Sequence, residues 1–257
     1  MKNKLTQILL AALVLISACK DSKEEAPVIT DNSNSYSIVK ENRALVLESS
    51  ATWCAPCHSF GIPANEAIID TLGDGITNMV MFGTNGCAFQ TTIGQELLFP
   101  FYQTNSISVP AFFFNKENLN QNGDMDDLIS KVVQKFNDFQ SNEVEIGIGG
   151  ELVREGDKLT LNWSIQNFTD YTAFSEVSAY LIEEKVVRGN YTYSNVLRDN
   201  LLPTMYGVAV EDVQPNEVRE LESVNYTVTN DWDINKLKVV VIVWGAKGRI
   251  VNTLAIK

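Results

Sequence analysis

Near residue 142 the apolar residues of this chain change period, and no single regular layer of structure accommodates both patterns. Before that point short apolar runs alternate with helix-like stripes. Asn42 to Ser49 and Thr77 to Phe82 read as core strands, and Pro56 to Leu72 as a helix with Phe60, Ala64, Ala67, Ile68 and Leu72 near one face. Gly61 and Pro63 are expected to bend that helix early. Thr91 to Thr104 reads as a helix that Pro100 must break or kink. Asp124 to Gln140 reads as a last helix, with Leu128, Val132 and Phe136 in its buried stripe. After residue 142 the period becomes two, as in Lys158-Leu159-Thr160-Leu161-Asn162-Trp163-Ser164-Ile165. Half-buried antiparallel strands alternate in this way.

Similar runs at Val144 to Ile148, Val177 to Ile182, Glu220 to Val228, Leu237 to Trp244 and Arg249 to Ile256 predict an all-β sandwich of immunoglobulin-like type over 142–257. Arg188 to Val210, with Tyr191, Tyr193, Leu201, Leu202 and Tyr206, reads as a long non-strand insertion within it, either functional or packed over an open sandwich end. A formal charge of -12 excludes nucleic-acid binding through phosphate neutralisation.

The pentapeptide Trp53-Cys54-Ala55-Pro56-Cys57 follows the apolar run Ala44-Leu45-Val46-Leu47 and precedes the first helix. A C-x-x-C pair between strand and helix is the setting of a redox dithiol. A thiol at the first turn of a helix faces unpaired N–H groups and the positive end of the dipole, which favours its thiolate. Pro56 suits that turn because it has no N–H to leave unpaired. Cys54 therefore reads as the attacking sulfur and Cys57 as the resolving one.

Cys54 to His58 also fits C-x-x-C-H, the haem attachment pattern, but a strand precedes the motif, and no cofactor is expected. His58 is the sole histidine. A zinc site from Cys54, Cys57, His58 and Cys87 would need adjacent ligands on one tetrahedron, so no metal is expected. His58 reads as an exposed residue that tunes the dithiol. Cys87 reads either as a partner for an alternative disulfide with Cys54 or as a small buried hydrophobe.

With Ser108-Val109-Pro110-Ala111 leading into Phe112-Phe113-Phe114, residues 36–141 resemble the thioredoxin superfamily. The resemblance implies an α/β thioredoxin-like domain over 36–141, a cis peptide before Pro110, and a docking edge for polypeptide at Val109 and Pro110 beside Trp53, Ala55 and Pro56. It also implies a buried acid, Glu48, that relays a proton to or from Cys57.

Lys2 and Lys4 precede an apolar run, Ile8 to Ile16, that is far short of the roughly twenty residues that span a bilayer. Residues 1–18 therefore read as a signal peptide. Ile16-Ser17-Ala18-Cys19 resembles a bacterial lipobox, which implies lipidation of Cys19 and attachment to a membrane. Residues 19–35 are polar and read as a flexible tether. This plan, with Asn190 to Arg198, is similar to the outer-membrane lipoprotein family of Bacteroidota named for its twenty-eight-kilodalton member. The implied protein is a lipid-anchored thiol-disulfide oxidoreductase of the cell envelope, at the outer membrane, acting on protein thiols or disulfides and favouring reduction. The alternative is a surface-exposed binding or adhesion lipoprotein in which the Cys54–Cys57 disulfide is static.

Overall fold

Strand β1 (Ala44–Ser49) is buried along its whole length, so it requires cover on both faces. The computed structural model that shows this cover describes residues 36–102, 108–119, 123–228 and 231–257. The expected signal peptide, Cys19 and tether lie outside the described residues.

A π-helical turn, Cys57–Gly61, follows β1 and runs into α1 (Ile62–Leu72). Its closing bond runs from Ile62 N–H to the Cys57 carbonyl, five residues back. Pro63 explains the wide turn, because it has no N–H to return to the preceding turn. Next come β2 (Ile76–Met81), α2 (Thr92–Tyr102), β3 (Ala111–Phe114), β4 (Glu117–Asn118) and α3 (Met125–Gln140). α2 continues through Pro100 to Tyr102. Asp124 caps α3 by accepting from Asp127 N–H at 3.1 Å.

The remainder of the described chain is strands. They are β5 (Ile146–Glu155), β6 (Lys158–Asn167), β7 (Ala173–Glu183), β8 (Val186–Arg188), β9 (Tyr191–Tyr193), β10 (Val196–Asn200), β11 (Val208–Val213), β12 (Val218–Glu220), β13 (Val224–Thr227), β14 (Leu237–Gly245) and β15 (Arg249–Ile256).

Nine of these strands form one mixed sheet, ordered β15-β14-β7-β10-β2-β1-β3-β4, with β11 also on β7. β1 and β2 run parallel, and β3 lies antiparallel on the other side of β1. β10 joins β2 at Val196 and Val80 and runs antiparallel to β7. Alternation then sends each strand's side chains to two cores. Leu45, Leu47, Met79 and Met81 meet Ile93 and Leu97 of α2, and Tyr180, Ile182, Val240, Ile242 and Trp244 of β7 and β14 belong to that same core. On the opposite face Ala44, Val46 and Phe112 meet Ala64 and Ile68 of α1 and Leu128 and Val132 of α3. The other faces of β7 and β14 pack Val177, Leu181, Val239 and Val241 against Leu161, Trp163 and Ile165 of β6 in the second sheet.

These facts correct the expected fold class. An α/β thioredoxin-like domain over 36–141 followed by a separate immunoglobulin-like sandwich would give each half its own sheet and core. Instead the described chain has fifteen strands against three α-helices, and the largest sheet crosses residue 142. The physical reason is the edge of β2. An unpaired row of backbone N–H and C=O groups there would be costly to bury, and the stretch expected to lack strands supplies a partner at one point of it, with Val196 of β10 opposite Val80 and the Val80 N–H donating to the Asn195 carbonyl at 2.9 Å. Asn252 reinforces the seam. Its Oδ1 accepts from Arg43 N–H at 2.8 Å, and its Nδ2 donates to the carbonyls of Glu41 and Ile146 at 2.8 and 2.7 Å. No helix among the described residues is long and apolar enough to cross a membrane.

Candidate functional site

The loop after β1 brings Cys54 and Cys57 together as a disulfide, with Cα atoms 5.2 Å apart. Backbone bonds set the turn. Cys54 N–H donates to the Ala51 carbonyl at 3.2 Å, Cys57 N–H points at Cys54 Sγ at 3.1 Å, and His58 N–H donates to the Cys54 carbonyl at 3.3 Å. Cys54 is 5% exposed and Cys57 fully buried. Around them Trp53, Ala55 and Pro56 are exposed, and Trp53 Nε1 donates to the Asn85 carbonyl at 3.3 Å.

The Val109–Pro110 peptide is cis, and the Val109 carbonyl lies 3.6 Å from Cys54 Sγ. The five site residues expected on the surface of the dithiol are thus gathered about it. Glu48 lies beneath. By alternation it shares a face of β1 with Ala44 and Val46. Its Oε1 is 2.6 Å from where a Cβ on Gly61 would stand, with the Pro110 Cβ 3.2 Å from the same point. Oε1 is buried with no hydrogen-bond partner among the described residues. Burial pushes the Glu48 carboxyl up to about 7; the Ser50 hydroxyl opposes that rise and the Glu66 carboxylate adds to it.

The opposite wall comes from the C-terminal half. β8 and β9 form a two-stranded hairpin, with Val186 opposite Tyr193 and Arg188 opposite Tyr191. Val186, Tyr193 and Val196 belong to the same buried cluster as Cys54, Cys57, Phe82 and Cys87. His58, expected to be exposed, is half-buried. Its ring stacks on Tyr191 with centroids 3.8 Å apart and planes 17° apart, and its Nε2 is 2.9 Å from the Tyr193 hydroxyl. Burial, followed by the Glu48 carboxylate, raises the Tyr193 phenol above its ordinary value. Sequence reasoning sets Tyr191 and Tyr193 in a non-strand insertion and misses this contact. The available signal is their spacing of two in a run of β-favouring residues.

Cys87 remains a free thiol, buried, with Thr84 Oγ1 at 3.0 Å from its sulfur. Among the described residues no three His, Cys, Asp or Glu side chains cluster so as to hold a metal ion.

No protein-family profile matches the chain. No curated protein matches it either. Among solved structures the overlaps include a β-glucosidase from Erythrobacter marinus (16% identity, 43% of this chain and 15% of that one, TM-score 0.26). Others are a β-glucosidase from Kluyveromyces marxianus (13%, 42% and 13%, TM-score 0.25) and DesR, a β-glucosidase from Streptomyces venezuelae in complex with D-glucose (14%, 42% and 14%, TM-score 0.24). Overlaps of that extent carry no structural or functional information about this chain.

Proposed function

We propose that this protein is a thiol-disulfide oxidoreductase that acts on protein thiols or disulfides through Cys54 and Cys57, with reduction of the partner as its favoured direction. The supporting observation is the disulfide at the mouth of the first helical turn, with Cys54 the more exposed sulfur and the Val109 carbonyl 3.6 Å from it. In the reducing direction the Cys54 thiolate attacks a partner disulfide. A Cys54–partner S–S bond forms, the partner's own S–S bond breaks, and the first partner thiolate leaves and takes up a proton. Cys57 passes its proton to the Glu48 carboxylate and attacks Cys54 Sγ, so the Cys54–Cys57 bond forms and the second partner thiolate departs. Two electrons pass to the partner, and a dithiol reductant restores the pair. An acid with a pKa of about 7 is divided between its two forms at neutral pH, which suits a group that must both take and return a proton.

By the lipobox resemblance, Cys19 would carry a lipid and hold the protein at the outer membrane of a cell envelope, as in the Bacteroidota lipoproteins it resembles. A second reading, a surface binding lipoprotein with a static disulfide, draws support from the burial of both cysteines, at 5% and 0% exposure.

The reduction potential of the pair against glutathione, with insulin reduction as a companion assay, separates the two readings. A value between roughly -120 and -270 mV with turnover, and a mixed disulfide trapped by Cys57→Ser, supports the enzyme. A value below about -300 mV without turnover supports the static disulfide.

A further inference from the structure

We propose that Tyr191 and Tyr193 of the β8–β9 hairpin are positioning residues of the redox site, acting through His58 to hold the Cys57 turn in its disulfide geometry. The inference deepens the oxidoreductase reading and takes its functional meaning from it. Three observations carry it.

The hairpin has a fixed base. Tyr193 is 3% exposed and makes edge-to-face contacts with Phe82 and Phe89 at 5.4 and 5.6 Å, while Val196, three residues on, pairs with Val80 in the sheet. From that base the two tyrosines engage His58 in different ways, one through ring stacking at 3.8 Å and the other through its hydroxyl at 2.9 Å. His58 in turn is one peptide from Cys57 and bonds through its N–H to the Cys54 carbonyl. The turn it belongs to is π-helical, a rare form that occurs mostly as single turns inside α-helices and frequently at functional sites.

The consequence for redox equilibrium follows from effective concentration. A disulfide is favoured over its dithiol to the extent that the fold holds the two sulfurs together. Contacts that survive only while the turn is closed add to the oxidised form, because the reduced pair is free to separate. Loosening His58 therefore moves the equilibrium toward the dithiol. Contacts that persist equally in both redox forms would leave the equilibrium constant untouched, however much they stabilise the fold.

The test is the equilibrium constant of the Cys54–Cys57 couple with glutathione in the full chain. Tyr193→Phe keeps the ring and removes the hydroxyl, and the constant moves toward the dithiol by about fivefold, as expected for one net hydrogen bond. Tyr191→Leu moves it the same way by about threefold through loss of stacking. In a His58→Ala background neither tyrosine substitution has a further effect. The proposal is overturned if Tyr193→Phe and Tyr191→Leu both leave the constant as in the wild type, or if their effects persist without His58. Wild-type insulin turnover is scored separately. Shifted constants without turnover sink the enzyme reading and leave the positioning role standing, whereas turnover with unshifted constants sinks the positioning role alone.

Discussion

On one side of the disulfide the chain supplies its own neighbours. Glu48, Gly61 and the turn between them lie within fourteen positions of one another, and Pro110 closes that wall from the start of β3. On the other side every contact is distant in sequence, with His58 and Tyr193 separated by 135 positions. The near wall keeps an orphaned carboxylate oxygen, Glu48 Oε1, among the described residues. The far wall is satisfied, its aromatic rings packed and its phenol paired. Buried polar groups without partners cost stability and persist where something other than stability keeps them. The wall read locally from the motif is thus the one suited to proton chemistry, and the wall assembled by the fold is the one suited to holding geometry.

The sharpest way to break this contrast is to cut the far wall from the sheet. Leu197 of β10 is fully buried in the core shared by α2 and β14, and Leu197→Ala is expected to lower stability by about 4 kcal/mol. Urea unfolding followed by tryptophan fluorescence and by far-ultraviolet circular dichroism should show one coincident transition. Two separated transitions would mean that the halves are independent units after all.

A somewhat smaller effect probes the near wall. The folded Glu48 pKa of about 7 stands above its ordinary value of 4.5. The folded state therefore retains a proton that the unfolded state releases, and the associated stability is complete below pH 4.5, declines through the window to pH 7 and is absent above it. The wild type should lose about 3 kcal/mol across that window relative to Glu48→Gln. Equal pH profiles for the two proteins would refute the buried-acid assignment.

Gly61→Ala tests the same wall sterically. Its methyl group would stand 2.6 Å from Glu48 Oε1 and 3.2 Å from Pro110 Cβ, and a stability loss of about 2 kcal/mol is expected from denaturant melts. The smallest effect concerns the seam itself, where Asn195 Nδ2 donates to Asn78 Oδ1 at 3.1 Å. Asn195→Gly, which keeps the left-handed backbone of φ 54° available, should cost about 1 kcal/mol, and no measurable loss would show that backbone pairing alone joins β10 to β2.

Much of the near wall is legible in the sequence. The strand before the dithiol and the early distortion at Gly61 and Pro63 each follow from a few adjacent residues, whereas the buried acid at Glu48 is expected only from the thioredoxin resemblance. Helix α3 is legible for the same reason, since its cap and stripe are local. The helix expected through Thr91 to Thr104 is present as α2, and Pro100 sits in its last turn, so the backbone bond that proline forfeits falls where the helix is ending.

The stretch from Arg188 to Val210 escapes such a reading because β8, β9 and β10 are three to five residues long and interrupted by turns at Gly189 and Asn195, whose φ values are 61° and 54°. Runs so short carry too little alternation to register as strands. What makes them strands is a partner: β2 for β10, and β8 and β9 for each other.

The amino-acid order alone sets the local chemistry: a C-x-x-C pair after a buried strand, the acid Glu48 directly behind the apolar run Ala44-Leu45-Val46-Leu47, and a period change near residue 142. All of these features depend on residues close enough to act through the backbone's own periodicity and turn preferences. Only the tertiary structure decided that β10 pairs with β2, that one sheet serves both halves, and that Tyr191 and Tyr193 meet His58. Pairings of that kind depend on which distant edge is left open once the local elements have formed, and the closing of a long loop onto such an edge leaves no periodic trace in the segment that does it.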